Sequence, residues 1–438
     1  MNGLEQDIHV RRDDHYPAMP TGIRICDDKI AGGDYFFYRD RQLIVHEAEI
    51  RRVQQFLRSE VGLGDKGYTL TKSSAHRPFS LLKFTDDGPP VDTIDLFRML
   101  RFAKGPAQLE PETPRVWPNQ VIGLQYHTKW GGAHPPQKPP APPPGPPGPP
   151  GSSGPLPELP VRENSAGAGV RVGVLDTGIE DQDWFDGRWS AAADRAAADV
   201  TDEPGSGARL RYQAGHGSFV TGIVLQRAPG AHVVIDRLGD QDGLIDDFEL
   251  QQRLTALLEP ANELDVLNLS LGGYTDNNLP LPLTCDILTA AVDRNPELVI
   301  VAAAGNDGHD RPVWPAAMRQ VIGVGAVKDG HRCDFSNFGE WVHAWSLGED
   351  LLSTFLRWPP GPPPQTGDLE PGPLDTRADE IHGKRFEGWA IWSGTSFAAA
   401  RVSGAIAAQL KRDGRSARQV VFDMLTNTPF EGGGLIEP

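Results

Sequence analysis

Fourteen of the 26 residues from Pro135 to Pro160 are proline, and most of the others are glycine, alanine or serine. Such a stretch is poor in backbone donors and favours extended polyproline II, so no core can form across it. It divides the 438-residue chain into two folding units joined by a semi-rigid spacer, here assigned to residues 134–160. Proline-reading partners dock on similar runs, but a spacer is the simpler reading.

Apolar residues make up 39 % of the chain and charged residues 23 %, enough to build a core on each side of the spacer. A net charge of −17 argues against binding nucleic acid or an anionic membrane over a broad surface. The cysteines, Cys26, Cys285 and Cys333, are three and far apart, which supports neither a disulfide framework nor a cysteine-based metal site. Residues 1–14 carry Glu5, Asp7, Arg11 and Arg12 with no apolar run behind them, and no window reaches 18 apolar residues. Neither a secretory signal nor membrane insertion is therefore expected, and a cytoplasmic location is. Arginine outnumbers lysine 32 to 10, in keeping with a GC-rich bacterial genome.

Residues 1–30 read as an N-terminal tail and 31–133 as a small α+β domain. Tyr35 to His46 has the pattern of a strand pair or bent strand. Ile50, Val53, Phe56 and Leu57 recur at helical spacing, and so do Ile94, Phe97 and Leu100. With strands at Phe79 to Phe84 and Val116 to Tyr126, the order is roughly β-α-β-α-β, which suggests a ferredoxin-like arrangement.

After the spacer, short Val/Ile/Leu runs alternate with helical stretches: Val170 to Leu175, Val233 to Leu238, Val266 to Leu269, Val299 to Ala303 and Val321 to Val327. Runs without polar alternation, joined by helices, predict an α/β unit whose parallel sheet has helices on both faces. This unit is assigned to 161–430, with a proline-rich surface insertion at 358–375 and a C-terminal tail at 431–438.

Three segments of this unit carry chemistry. V-G-V-L-D-T-G ends a buried strand at Asp176, G-H-G-S-F-V-T-G sets His216 between two glycines, and S-G-T-S-F-A-A-A-R-V-S-G opens a small-residue helix at Ser396. Singly, each has a plainer reading: a turn-forming Asp, a satisfied core His, an N-cap Ser. Together, in the order Asp, His, Ser, they follow one of the chain orders known for a catalytic triad.

On these motifs the chain from about 166 to 412 resembles the subtilisin-like serine proteases. The resemblance implies a serine endopeptidase acting on protein or peptide substrates, with Ser396 as nucleophile, His216 as proton shuttle and Asp176 orienting it. N-L-S-L-G-G at 268–273 is similar to the edge strand that holds substrate backbone, which implies substrate-binding roles for Ser270, Leu271 and Gly272. A-A-A-G-N-D-G at 302–308 is similar to the oxyanion segment, with Asn306 at the matching position. Departures are mild: Phe397, Ala400 and Arg401 stand where Met, Pro and His are common, and Ser346-Leu347-Gly348 where Ala-Pro-Gly is usual. The alternative of another class is a catalytically silent scaffold or binding protein that kept the fold, and four intact functional residues weigh against it.

No cofactor or metal ligand is assigned. G-D-Q-D-G-L-I-D-D mimics a calcium loop, but its twelfth position is Gln251, so a turn into an acid-rich helix N-terminus is the better reading. Structural calcium through scattered ligands is common in the family, and those ligands are not identifiable from one sequence. Residues 31–133 have two readings: a propeptide that templates folding and plugs the active site, or a recognition or regulatory domain through which a partner acts. The long spacer and the absent signal favour the second.

Overall fold

The computed structural model describes residues 22–28, 34–73, 78–85, 92–102, 115–124, 166–192, 213–238, 243–358, 386–411 and 414–436. The spacer at 134–160 and nearly all of the insertion at 358–375 lie outside the described residues.

The N-terminal unit comprises β1 (Ile23–Asp28), β2 (Asp34–His46), α1 (Ile50–Ser59), β3 (Tyr68–Lys72), β4 (Phe79–Phe84), α2 (Thr93–Phe102) and β5 (Val116–Gly123). Its strands pair antiparallel in the order β3-β4-β2-β5, and from β2 onward the succession is the β-α-β-β-α-β of a ferredoxin-like fold. β2 is one long strand. Its pairing with β5 shifts register between Tyr38 and Leu43, where Arg41 takes a φ of 60°, and it hands over from β1 to β4 across that irregularity. Val53 and Leu57, four residues apart on α1, pack with Leu43, Leu82, Phe97 and Leu100 between helices and sheet.

Two elements differ from the sequence reading. Residues 23–28 form β1 where a tail is expected, because Ile23 packs with Phe37, Val121 and Leu244, a surface that exists only after folding. β3, Y-T-L-T-K, escapes notice because it lies at the sheet edge with mostly polar residues.

The second unit comprises β6 (Arg171–Asp176), β7 (Trp189–Ala191), α3 (His216–Arg227), β8 (His232–Arg237), β9 (Leu244–Asp246), α4 (Asp247–Leu257), β10 (Val266–Leu269), α5 (Pro282–Arg294) and β11 (Val299–Ala303). It continues with β12 (Val321–Lys328), β13 (His331–Arg332), β14 (Ala344–Leu347), β15 (Leu351–Trp358), β16 (Phe386–Trp392), α6 (Thr395–Gln409), α7 (Ala417–Asn427), β17 (Pro429–Phe430) and β18 (Gly433–Leu435). The sheet order β18-β14-β12-β11-β10-β6-β8-β7 is parallel throughout. β18 takes part in this sheet from within the stretch expected to be a C-terminal tail.

Alternate residues of each strand feed opposite faces. Val172, Val174 and Val266 pack toward Phe219, Val224, Ala398 and Ile406 of α3 and α6, while Leu175, Leu267 and Leu269 pack toward Leu250, Leu254 and Leu288 of α4 and α5. Small residues let α6 lie close. A Cβ on Gly404 would stand 2.6 Å from Arg227 Cβ and 2.8 Å from the Val224 carbonyl, so α3 and α6 approach nearly backbone to backbone.

The two units share a sheet edge. β5 pairs antiparallel with β9, and Ile44 and Phe79 pack on Phe248 and Leu283 at the starts of α4 and α5. Polar groups join in: Arg39 pairs with Asp246 at 3.0 Å, Phe248 N donates to Asn119 Oδ1 and Asp276 N donates to Gln120 Oε1.

Candidate active site

Asp176 closes the buried strand β6 with no solvent exposure, and its Oδ1 accepts from Thr177 N at 2.7 Å. α3 begins at His216, preceded by Gly215 at φ 81°. A Cβ at Gly215 would also meet the Phe355 ring at 2.4 Å, and one at Gly217 would sit 2.1 Å from the Gly178 carbonyl. These glycines therefore let the start of α3 drop onto the turn after β6. Gly217 N donates to Thr177 Oγ1 at 3.0 Å and fixes the approach. His216 Nδ1 then lies 2.8 and 3.0 Å from the two carboxylate oxygens of Asp176. The imidazole is 2 % exposed.

Ser396, fully buried, sits in the first turn of α6. Its hydroxyl donates to the Ser270 carbonyl at 3.1 Å, and Ser270 Oγ donates back to the Ser396 carbonyl at 2.9 Å. Ser403 Oγ donates to Asn268 Oδ1, and Asn268 Nδ2 donates to Ser270 Oγ, so the end of β10 is tied to α6 at several points. The His216 ring lies 5.2 Å from Phe397 and 5.4 Å from Trp392, which holds it beside the α6 N-terminus. Ser396 and His216 share no hydrogen bond in this state, because the Ser396 hydroxyl is engaged by the Ser270 carbonyl.

Asn306 Oδ1 accepts from Thr395 N at 2.9 Å, and Gly305 N donates to Thr395 Oγ1 at 3.0 Å. With its oxygen engaged, the side-chain Nδ2 is buried and makes no hydrogen bond. An unused buried donor costs free energy unless an acceptor arrives, and an oxygen bearing developing charge is such an acceptor.

Gly272 N donates to the Gly123 carbonyl at 2.9 Å, and Gly123 N donates to the Gly272 carbonyl at 3.1 Å. On the other side Leu124 N donates to the Gly243 carbonyl. The end of β5 thus lies as a middle strand between residues 243–246 and 271–273, in the groove assigned to substrate backbone. A cleft beside it is lined by Leu271, Ala303, Asn306 and Val313 from one unit and by Tyr35 and Phe37 from the other.

The profile of the Subtilase family matches residues 167–429. This chain belongs to the subtilase family. It is 30 % identical over 203 residues to the minor extracellular protease Epr of Bacillus subtilis (strain 168), covering 43 % of this chain and 28 % of Epr. It is 30 % identical over 262 residues to an intracellular serine protease of Paenibacillus polymyxa, covering 56 % and 68 %. Fervidolysin of Fervidobacterium pennivorans, described as a keratinolytic enzyme related to subtilisin, superposes with a TM-score of 0.57 at 17 % identity over 91 % of this chain and 60 % of that one. The subtilase spans little more than a quarter of the length of Epr.

Of the seven residues singled out from the subtilase motifs, Leu271, Gly272 and Asn306 line the cleft, Ser270 and Ser396 bond each other, Asn306 bonds Thr395 next to Ser396, and Asp176 bonds His216. Several supporting residues were not legible. Thr177 and Thr395 lie inside the quoted motifs but carry hydrogen bonds no motif reveals. Arg311 and Trp392 lie outside the motifs and are recognised only from their neighbours in space. Two acids of the sequence that mimics a calcium loop act as helix caps: Asp246 Oδ1 accepts from Glu249 N, and Asp247 accepts from Leu283 N, Thr284 N and Thr284 Oγ1 at the start of α5, while Asp240 and Asp242 lie outside the described residues. Among the described residues no three His, Cys, Asp or Glu side chains come together in a group that could hold a metal ion.

Proposed function

We propose that this chain is a serine endopeptidase whose N-terminal unit occupies its own substrate groove. The observation that carries the catalytic reading is the pair of contacts from Asp176 to His216 Nδ1, beside the helix start that bears Ser396. In this mechanism His216 Nε2 takes the Ser396 proton as Oγ attacks the peptide carbonyl, then returns it to the leaving amine. Asp176 holds the ring with Nδ1 protonated and stabilises the imidazolium. The negative carbonyl oxygen receives Asn306 Nδ2–H and the Ser396 backbone N–H. Water repeats the attack on the acyl-enzyme and frees the acid. Substrates are proteins or peptides in extended form, since the groove pairs with a strand.

The Gly123–Gly272 pairing supports a blocking role for residues 31–133 over a recognition role, because a substrate strand needs the same backbone groups. A regulatory partner acting through this unit would work by displacing it. A cytoplasmic location is retained; the relative from Paenibacillus polymyxa named as intracellular supports it. The test is hydrolysis of an unstructured polypeptide by the full chain, with intact mass followed in parallel. Hydrolysis lost in Ser396→Ala is expected, together with a self-cut between Leu124 and Gly169 that the same variant lacks. Equal hydrolysis by Ser396→Ala would overturn the reading.

A further inference from the structure

Arg311 is 7 % exposed and lies five residues beyond Asn306. Its planar fork donates to acceptors on two segments, the loop at 275–278 and the start of β2. Nε donates to Asn278 Oδ1 at 2.7 Å, Nη2 to the Thr275 carbonyl at 2.9 Å, and Nη1 to the Tyr35 carbonyl of the N-terminal unit at 2.6 Å. The guanidinium also lies 4.5 Å from the Tyr274 ring centre and 5.8 Å from that of Tyr35, and these rings meet edge to face at 5.4 Å. Tyr274 Oη in turn donates to Asp307 Oδ2 at 3.0 Å, next to Asn306. A buried cation thus bridges the start of β2, the loop after β10 and the segment that carries Asn306.

We propose that Arg311 is a positioning residue that clamps the N-terminal unit over the cleft and so sets how readily Ser396 is reached. This rests on the reading that β5 blocks the groove. Two of the three hydrogen bonds stay within the second unit, so the arginine remains ordered whether or not Tyr35 is seated. The third bond and the ring contact are made only in the closed state. A contact made in one state alone shifts the balance between states by its full strength. One charge-assisted hydrogen bond is worth roughly a tenfold change in such a balance.

The experiment follows the rate at which a fluorophosphonate labels the uncut full chain, by intact mass, in wild type, Arg311→Ala, Tyr35→Ala and Gly123→Pro. Gly123→Pro removes the N–H donated to Gly272 and tests the blocking reading alone. Labelling about tenfold faster in Arg311→Ala, and faster in Tyr35→Ala, is expected; damage to the second unit would slow labelling, and a wild-type melting curve separates release of the clamp from unfolding of the N-terminal unit. Tyr35→Ala leaves the second unit untouched, so its rate decides the matter where Arg311→Ala fails to fold. Faster labelling of Gly123→Pro with both other variants at the wild-type rate overturns the clamp and spares the blocking strand. Wild-type rates in all three variants overturn both, and no labelling of any variant overturns the peptidase reading and the clamp with it.

Discussion

Asp176 presents both carboxylate oxygens to one atom, His216 Nδ1, at 2.8 and 3.0 Å, with the pair almost wholly removed from solvent. A carboxylate in that position fixes the imidazole tautomer, leaving Nε2 free to accept a proton. Asp176→Asn keeps the shape but presents an amide, which favours the wrong tautomer. Turnover of a peptide substrate is expected to fall by about 10⁴ with little change in thermal stability, as steady-state kinetics and a melting curve would show. A loss under tenfold would mean that the contact serves packing.

Asn306 holds an unpaired amide in place by spending its oxygen on Thr395 N. Asn306→Ala is expected to lower kcat by about 10²–10³, a range known for one oxyanion donor in a subtilisin, with KM nearly unchanged. A rise in KM at constant kcat would assign the amide to substrate binding.

Gly217 is where α3 touches the turn after β6, with 2.1 Å between a would-be Cβ and the Gly178 carbonyl. Gly217→Ala must push the helix start off that turn, at a cost of about 1–3 kcal/mol. His216 moves with it. Lower melting temperature and strong loss of activity are expected together, and retention of either at the wild-type level would contradict the account.

Burial pushes the Asp247 carboxyl up to about 6 despite three donors that pull it down. The folded value lies above the unfolded one of about 4, so between those pH values the folded chain holds a proton the unfolded chain has released. Its contribution to stability is therefore full below the unfolded value and lost as pH rises through about 6. Melting of Ser396→Ala, with and without Asp247→Asn, checks this from pH 4 to 7. The parent is expected to lose stability relative to the Asn variant as pH rises, and a constant difference would show that Asp247 does not titrate there.

The sequence revealed the parallel sheet because β6, β8, β10, β11 and β12 are short apolar runs buried on both faces, a pattern local enough to read. The site was legible because Asp176, His216, Asn306 and Ser396 each lie in a motif whose glycines and small residues serve close backbone approach. β1, β3 and β18 were not, since their partners are distant in sequence and their own residues are too polar or too few. The same holds for the seating of β5 between 243–246 and 271–273: Gly123 and Gly272 are ordinary glycines until register pairs them. Arg311 gives no periodic or motif signal, and only its three acceptors in space mark it out.

The most direct measurement is to expose the full chain to a fluorophosphonate until labelling is complete, digest it and locate the adduct by mass. A single adduct on Ser396, absent from Ser396→Ala and much slower to form in His216→Ala, is the result this account predicts. An adduct on another residue, or equal labelling with Ser396 replaced, would contradict it.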